Sequence, residues 1–145
     1  MPNVRGCHLP DELLYDVDNH IWVSEEGDGN IKIGMTMVAT ALAGELVAFT
    51  PKKPGKAIKP GKSCAIVESG KWVGPAKTLA GGEIVAVNEA LVAQPNLANA
   101  DPYANWMVIL APEDWADAKA QLTPGSEVAG PYEAKMAEDG FEGCG

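Results

Sequence analysis

The stretch from Cys64 to Pro75 constrains the fold of this chain more than any other segment. It begins with a short apolar run that includes β-branched side chains, which is typical of a buried strand. Gly70 can adopt a positive φ without a steric clash, so the chain can reverse there, and Gly74-Pro75 bounds the returning segment. The sequence therefore predicts a β-hairpin with Lys71 at its turn. Because an ammonium group is rarely buried without a partner, we expect Lys71 to project into water.

Short strands are also predicted on both sides of this hairpin. Apolar residues alternate over 21–23 and 31–33, and Gly27-Asp28-Gly29-Asn30 lies between them, which is the pattern of a second β-hairpin. The segments 43–49 and 81–87 resemble each other, and each supplies one strand after a chain breaker. Two similar units fit a sandwich or flattened barrel with approximate twofold symmetry. The remaining predicted strands cover 13–15 and 106–110.

Three short helices are predicted, two of them after the last strand. Thr36 can cap a helix that runs through Leu42, because a threonine side chain accepts a hydrogen bond from a free backbone amide. Pro112 suits the first turn of a second helix, which ends at Leu122. We treat 1–145 as one domain, since this length fits a single core. Its other predicted parts are a helix over 132–138, an irregular lead-in over 1–12, and a C-terminal helical extension over 112–145 that ends in a loose tail over 141–145.

The charge of the chain restricts its partners. A formal net charge of -9 argues against binding to nucleic acid, because phosphate recognition requires a basic surface. No apolar run is long enough to span a bilayer and the N-terminal segment has no apolar leader, so we expect a cytoplasmic protein without a membrane partner. Five lysines nevertheless fall in one proline-rich segment, which is either a solvated loop or a docking surface for an acidic partner. These are Lys52, Lys53, Lys56, Lys59 and Lys62.

The chain has three cysteines, and their number and spacing suggest no framework of disulfides or metal ligands. An odd count without a secretory signal argues against a disulfide framework, and the spacing fits no metal motif. Cys64 lies within an apolar strand and is expected to be a small core residue. Cys7 and Cys144 lie near the two ends of the chain, where they are either incidental or have a role in redox chemistry or sulfur transfer.

Three segments around and after the lysine hairpin carry a family resemblance. They are Val67-Glu68-Ser69-Gly70-Lys71, the stretch 82–91 and the stretch 99–107. Together they resemble the H protein of the glycine cleavage system, and segments at 20–23, 27–29 and 44–47 extend the resemblance over about residues 13 to 122. The resemblance implies a mainly β fold, a barrel-sandwich hybrid, with a lipoyl group attached to Lys71. It also implies that Glu68 helps the lipoate-attaching enzyme to select this lysine, whereas Glu68 is otherwise an ordinary exposed charge.

The residues next to Lys71 depart from the H-protein pattern. That family usually has alanine after the lysine and then a Ser-Asp pair, whereas this chain has Trp72 followed by Gly74-Pro75. With Gly70, these residues are similar to those of lipoate-binding proteins that serve a heterodisulfide-reductase-like sulfur oxidation system. This second resemblance implies an arm that shuttles sulfur-bonded intermediates to a heterodisulfide-reductase-like complex. The alternative is a true H protein, which carries an aminomethyl group between glycine decarboxylase, aminomethyltransferase and dihydrolipoamide dehydrogenase.

The sequence favours a carrier without catalytic activity of its own. His8 and His20 suggest no triad, Ser63 and Ser69 lie in no nucleophile elbow, and no pair of carboxylates has a spacing suited to acid–base work. A biotinyl carrier is disfavoured because that family flanks its lysine with methionines. An unmodified sandwich used only for binding is a further alternative, since a lysine in a turn is commonly just solvated. Trp72 can shield the arm, offer an apolar contact to a partner, or anchor the hairpin.

Overall fold

The computed structural model describes residues 3–144. Its strands are β1 (Asn3–Val4), β2 (Cys7–His8), β3 (Leu14–Asp16), β4 (Ile21–Glu25), β5 (Ile31–Met35), β6 (Leu46–Pro51), β7 (Ala57–Ile58), β8 (Ser63–Ser69), β9 (Val73–Lys77), β10 (Gly82–Val87), β11 (Val108–Pro112) and β12 (Thr123–Pro124). Its α-helices are α1 (Met37–Ala43), α2 (Glu89–Ala93), α3 (Leu97–Ala100), α4 (Trp115–Gln121) and α5 (Ala129–Asp139), and Gly125–Glu127 forms a 3-10 turn. The predicted mainly β architecture with short helices, including C-terminal ones, is confirmed.

The strands form three antiparallel sheets. The largest has the order β12-β3-β4-β5-β11-β10-β7, the second has the order β6-β8-β9, and the third consists of β1 and β2. The main core contains apolar residues of both larger sheets, among them Ile33, Leu110 and Val67. A second cluster contains Trp22 and Tyr132 and brings α5 against the N-terminal strands. Among residues 3–144, no helix is long and apolar enough to cross a membrane.

Both predicted hairpins are confirmed. β4 and β5 pair with Ile21 opposite Met35 and Glu25 opposite Ile31. β8 and β9 pair in the same antiparallel manner, and the sheet buries one face of β8 while the other face is exposed. Cys64 lies where the pairing of β8 with β9 shifts register and has no exposed surface, and burial raises the pKa of its thiol to about 12. It is the core residue that its apolar strand predicts.

The helix at Thr36 is also confirmed. Thr36 has extended backbone angles, and its hydroxyl oxygen accepts a hydrogen bond of 3.2 Å from the amide of Ala39. This is the N-cap geometry that satisfies a free amide of the first turn. The helix ends at Gly44, which has a φ of +85°, and the Gly44 amide donates to the Thr40 carbonyl at 3.0 Å.

Two local predictions are wrong. The expected irregular lead-in contains the β1–β2 hairpin, because Arg5 and Gly6 both adopt a positive φ and reverse the chain. Pro112 does not begin a helix, because it ends β11 opposite Gly82. The helix begins at Trp115 instead, after the chain turns at Asp114 with a φ of +51°. The third predicted helix is present and longer than expected, since it covers Ala129–Asp139.

The argument against a disulfide is wrong as well. Cys7 and Cys144 form a disulfide across a sequence separation of 137 residues, with their Cα atoms 5.0 Å apart. An odd count is compatible with one bridge and one free thiol, and the free thiol is the buried Cys64. The expected loose tail is therefore held at 141–144. Its backbone is anchored too, because the amide of Cys144 donates to the Arg5 carbonyl at 2.9 Å. Gly145 lies outside the described residues.

Candidate functional site

The turn that carries Lys71 is held by Ser69. The Ser69 amide donates to the Trp72 carbonyl at 2.7 Å, and the Lys71 amide donates to the Ser69 hydroxyl oxygen at 3.3 Å. Ser69 is itself buried, so the base of the turn is part of the packed structure. Gly70 does not adopt the positive φ that was expected for the turn. The serine hydroxyl, rather than the freedom of glycine, stabilises the reversal.

The side chain of Lys71 is exposed and has no acidic partner among residues 3–144. Its aliphatic stem runs past the end of α1, since a Cβ placed on Gly44 would lie 3.2 Å from Lys71 Cε and 3.9 Å from Nζ. Asn99 holds this end of α1, because its amide group donates to the Gly44 carbonyl at 2.9 Å and its side-chain oxygen accepts from the Leu46 amide at 2.8 Å. Lys71 is therefore an exposed amine on a firmly held support.

Sequence reasoning missed the roles of Gly44 and Asn99. Both residues lie inside segments that carry the family resemblance, so the resemblance could have drawn attention to them. Their contact depends on two chain segments 55 residues apart, which the pattern of either segment does not reveal.

Glu68 and Trp72 lie on either side of the lysine turn. Glu68 is on the exposed face of β8, opposite Val73 of β9. Trp72 is 42% exposed, and its indole lies over Gly74, where any Cβ would overlap the ring. Gly74 is thus required by the indole, while Gly70 has open space around it. The structure brings Glu68, Gly70 and Trp72 to the same end of the hairpin as Lys71.

A cavity of about 270 Å³ lies beside this turn, between the hairpin, α1 and β4. Its lining is mostly apolar and includes the indole of Trp72. Among the described residues, no carboxylate lines it. The lining consists of Asn19, His20, Ile21, Met35, Ala39, Leu42, Ala43, Val67, Trp72, Pro75 and Ala76.

His20 supplies one of the few polar groups in this cavity. Its Nδ1 lies 3.1 Å from the Tyr132 hydroxyl, and the two rings stack with centroids 5.7 Å apart. Burial lowers the pKa of His20, and the positive charge of Lys135 lowers it further. The imidazole is therefore neutral at neutral pH. Sequence reasoning placed His20 in a segment of the family resemblance and found no triad for it, and it did not place His20 near Lys71.

The lysine-rich segment begins at the far end of the same sheet and continues through β7, which pairs with β10 of the larger sheet. Lys52, which follows β6, donates its amide to the Cys64 carbonyl at 2.9 Å, and Lys77 is opposite Ser63. Since the hairpin rises by about 3.3 Å per residue, this end is on the order of 20 Å from Lys71. Within residues 3–144, none of the five lysines between 52 and 62 has an ion pair.

The family of the chain follows from comparison with known proteins. The model of the family described as Glycine cleavage H-protein matches residues 13–135. The chain belongs to this family. Glycine cleavage system H protein 5 of Aquifex aeolicus is 47% identical over 150 residues, and the alignment spans 100% of both chains. Glycine cleavage system H protein 2 of the same organism is 40% identical, over 85% of this chain and 77% of the relative.

The fold agrees with this assignment. The crystal structure of a glycine cleavage system H protein from Mycobacterium marinum superposes with a TM-score of 0.73 at 31% identity. The match covers 90% of this chain and 98% of that one. Proteins of the H-protein family are non-catalytic carriers with lipoate covalently attached to a lysine. The expected link to sulfur oxidation has no counterpart in the names of these three relatives, so it depends on the residues around Lys71.

Proposed function

We propose that this chain is a lipoyl carrier with lipoate joined to Lys71 by an amide bond, and that it serves glycine cleavage. The observation that carries the proposal is the position of Lys71 at the tip of a rigid hairpin, in a member of the H-protein family. Its amine is exposed and has no ion pair with any residue of 3–144. Its partners are then glycine decarboxylase, aminomethyltransferase, dihydrolipoamide dehydrogenase and a lipoate-attaching enzyme. A cytoplasmic location is part of the same proposal.

The residues around Lys71 fit an attached lipoyl group. Lipoate supplies a reactive disulfide at the end of a long aliphatic chain, so the protein has to supply position and access. Ser69 fixes the base of the turn, and Gly44 leaves room for the lysine stem where a larger residue would press on it. The neighbouring cavity offers apolar surface beside Trp72. These features support attachment at Lys71 rather than at Lys77, which ends β9 at the opposite end of the hairpin.

The attaching enzyme has a surface to recognise at this end of the hairpin. Glu68 shares the exposed face of the sheet with Ile66 and Val73, which are 43% and 62% exposed. A carboxylate surrounded by exposed apolar groups offers both charge and contact area to a partner. We infer that this enzyme reads Glu68 and its apolar neighbours when it selects Lys71.

A second candidate function is favoured by the cavity. A protonated amine that leaves water needs an acidic partner, and no carboxylate lines the cavity among the described residues. Uncharged, sulfur-bonded groups need no such partner. Together with Trp72 and Gly74-Pro75 next to the lysine, this supports a carrier of sulfur-bonded intermediates for a heterodisulfide-reductase-like complex. The overall identity to glycine cleavage H proteins supports the first candidate more strongly.

Two measurements test these proposals in sequence. Incubation with lipoate and a competent attaching enzyme should add one lipoyl group, located by intact mass and peptide mapping. Lys71→Arg should abolish the addition and the matched variant Lys77→Arg should not, whereas addition at Lys77 would overturn the assignment of the site.

The lipoylated protein is then compared with an authentic H protein in a glycine decarboxylase assay. Similar aminomethyl loading supports the glycine cleavage function and excludes the second candidate. Loading that is weaker by orders of magnitude, with turnover by a heterodisulfide-reductase-like complex, would reject the first candidate in favour of the second.

A further inference from the structure

The Cys7–Cys144 disulfide is a second thiol-based feature of this chain, and it does not depend on the proposed lipoyl function. It connects β2 to the segment after α5. Its two sulfur atoms differ in environment. Cys7 has no exposed surface, whereas Cys144 is only partly buried at the edge of the second apolar cluster. Of the two cysteines, Cys144 is therefore the one with exposed surface.

We propose that this disulfide is a redox site that accepts electrons from dithiols, with Cys144 Sγ as the attacked sulfur. Thiol–disulfide exchange requires a thiolate to approach one of the sulfur atoms, so access decides which of the two is attacked. The burial of Cys7 leaves Cys144 as the point of attack and Cys7 as the leaving group. Cys64 is protected from thiol–disulfide exchange in a similar way, because it has no exposed surface and its burial raises the pKa of its thiol to about 12.

The reaction balances without a further reactant. One thiolate of the dithiol forms a bond to Cys144 Sγ, the Cys7–Cys144 bond breaks, and Cys7 leaves as a thiolate that takes up a proton. The second thiol of the same reductant then displaces Cys144, which is also protonated. Two electrons pass to the protein, which ends with two thiols, and the reductant ends as a cyclic disulfide.

The pairing of the cysteines explains why a dithiol is the suitable reductant. After the first attack, Cys7 stays next to Cys144, because their Cα atoms are held 5.0 Å apart by the fold. Cys7 therefore attacks back and expels a monothiol. A dithiol competes with this reversal because its second thiol is tethered and acts at a high effective concentration.

The redox state of this site should change how firmly α1 is held. Cys144 Sγ lies 3.8 Å from the carbonyl oxygen of Met37, the first residue of α1. The Met37 sulfur also accepts a hydrogen bond of 3.3 Å from the His8 amide, next to Cys7. Tyr103 also links His8 to Met37, because its hydroxyl donates to the His8 carbonyl and accepts from the Met37 amide at 3.0 Å.

The opposite end of α1 adjoins the candidate lipoyl site. Ala39, Leu42 and Ala43 line the cavity, and Gly44 lies against the Lys71 side chain. The terminal disulfide and the lysine turn thus contact opposite ends of one short helix. The disulfide ties together two segments that both contact Met37, so opening it removes a covalent link around the start of α1 and does not involve the β8–β9 hairpin.

Other contacts keep the termini together when the disulfide opens. The Arg5 guanidinium forms an ion pair with Glu133 at 2.9 Å and donates to the Phe141 carbonyl at 2.7 Å. The Cys144 amide remains bonded to the Arg5 carbonyl. We therefore expect reduction to loosen the start of α1 without unfolding the chain.

The test of the redox site uses the full chain without lipoate, so that its outcome is independent of the proposed function. Native protein is incubated with dihydrolipoamide or with glutathione at equal thiol concentration, and then alkylated and mapped by mass spectrometry. We expect Cys7 and Cys144 to be labelled at least about tenfold faster with the dithiol, and Cys64 to stay unlabelled as the internal control. Equal rates for both reductants, or labelling only after denaturation, would overturn the proposal.

Hydrogen exchange tests the effect on α1. Amides over 38–43 should exchange faster in the reduced protein than in the oxidised one, while amides of β8 and β9 should not change. The double variant Cys7→Ser/Cys144→Ser should reproduce the reduced pattern, and reduced wild-type protein supplies the same information if that variant does not fold. Unchanged exchange over 38–43 after complete reduction would exclude the coupling to α1.

Discussion

The side chain of Lys71 lies against the backbone of Gly44, at the position where α1 ends and β6 is about to begin. The two residues are 27 positions apart in the sequence. Gly44 has a φ of +85° and a ψ of -169°, a backbone conformation open essentially to glycine alone. Its lack of a side chain therefore serves two purposes, which are the end of the helix and the space for the lysine stem.

Replacing Gly44 should destabilise the protein. Gly44→Ala forces a side chain into an unfavourable conformation and places a Cβ 3.2 Å from Lys71 Cε, so we expect a loss of about 1–3 kcal/mol in the free energy of unfolding. Urea denaturation monitored by circular dichroism measures it. Gly70→Ala is the matched control, because nothing lies within 4 Å of its added Cβ and its φ is not positive, so its effect should stay within about 0.5 kcal/mol. Equal effects of the two variants would contradict this account.

Removing the carboxylate of Glu68 should slow lipoylation without weakening the fold. Glu68 is exposed and has no ion pair within residues 3–144, so Glu68→Ala should change the free energy of unfolding by no more than about 0.5 kcal/mol. The rate of lipoate addition is followed by intact mass. Glu83→Ala, an exposed glutamate on β10 of the other sheet, is the control and should retain the parent rate. If Glu68→Ala also retains it, Glu68 has no part in recognition.

Loss of the terminal disulfide should lower stability through the unfolded chain. The bridge spans a separation of 137 residues, and closing so long a loop restricts the unfolded state strongly. Cys7→Ser should therefore reduce the free energy of unfolding by about 2–5 kcal/mol. The entropy of closing a loop of this length predicts a value near the upper end of that range. Guanidinium unfolding with and without a dithiol measures it. Reductant should shift the midpoint of the parent protein and leave that of the variant unchanged, and an unaffected parent would argue against the bridge in solution.

The stability of the fold should depend on the protonation of His20. Burial lowers the pKa of His20 in the folded state below the ordinary value of 6.5. Between these two pKa values the unfolded state binds more protons than the folded state. The contribution of neutral His20 to stability is therefore fully present above pH 6.5 and is lost as the pH falls below it. Unfolding free energies at pH 7.5, 6.5 and 5.5 measure the decline. His20→Gln should remove most of it, and a variant that retains the full dependence would assign it to other groups.

Several features could be predicted from the sequence because each depends on neighbouring residues. Alternation of apolar side chains and turn residues indicated both hairpins, and the hydroxyl of Thr36 indicated the start of α1. The family could be recognised from the order and spacing of the motifs, because both can be read directly along the sequence. The positive φ expected at Gly70 was wrong, because the turn is held by the Ser69 hydroxyl instead.

The remaining features were decided by the tertiary structure, because they join segments that are distant in sequence. Nothing in the local pattern around Cys7 or Cys144 indicates that sheet and helix packing brings them within reach of each other. The same holds for the cavity, whose apolar walls come from β4, α1 and the lysine hairpin. Local patterns specify which strand, turn or helix forms, whereas the packing of these elements specifies which side chains meet. The sequence alone therefore determined that Lys71 lies at the turn of a hairpin, and the fold determined what surrounds it.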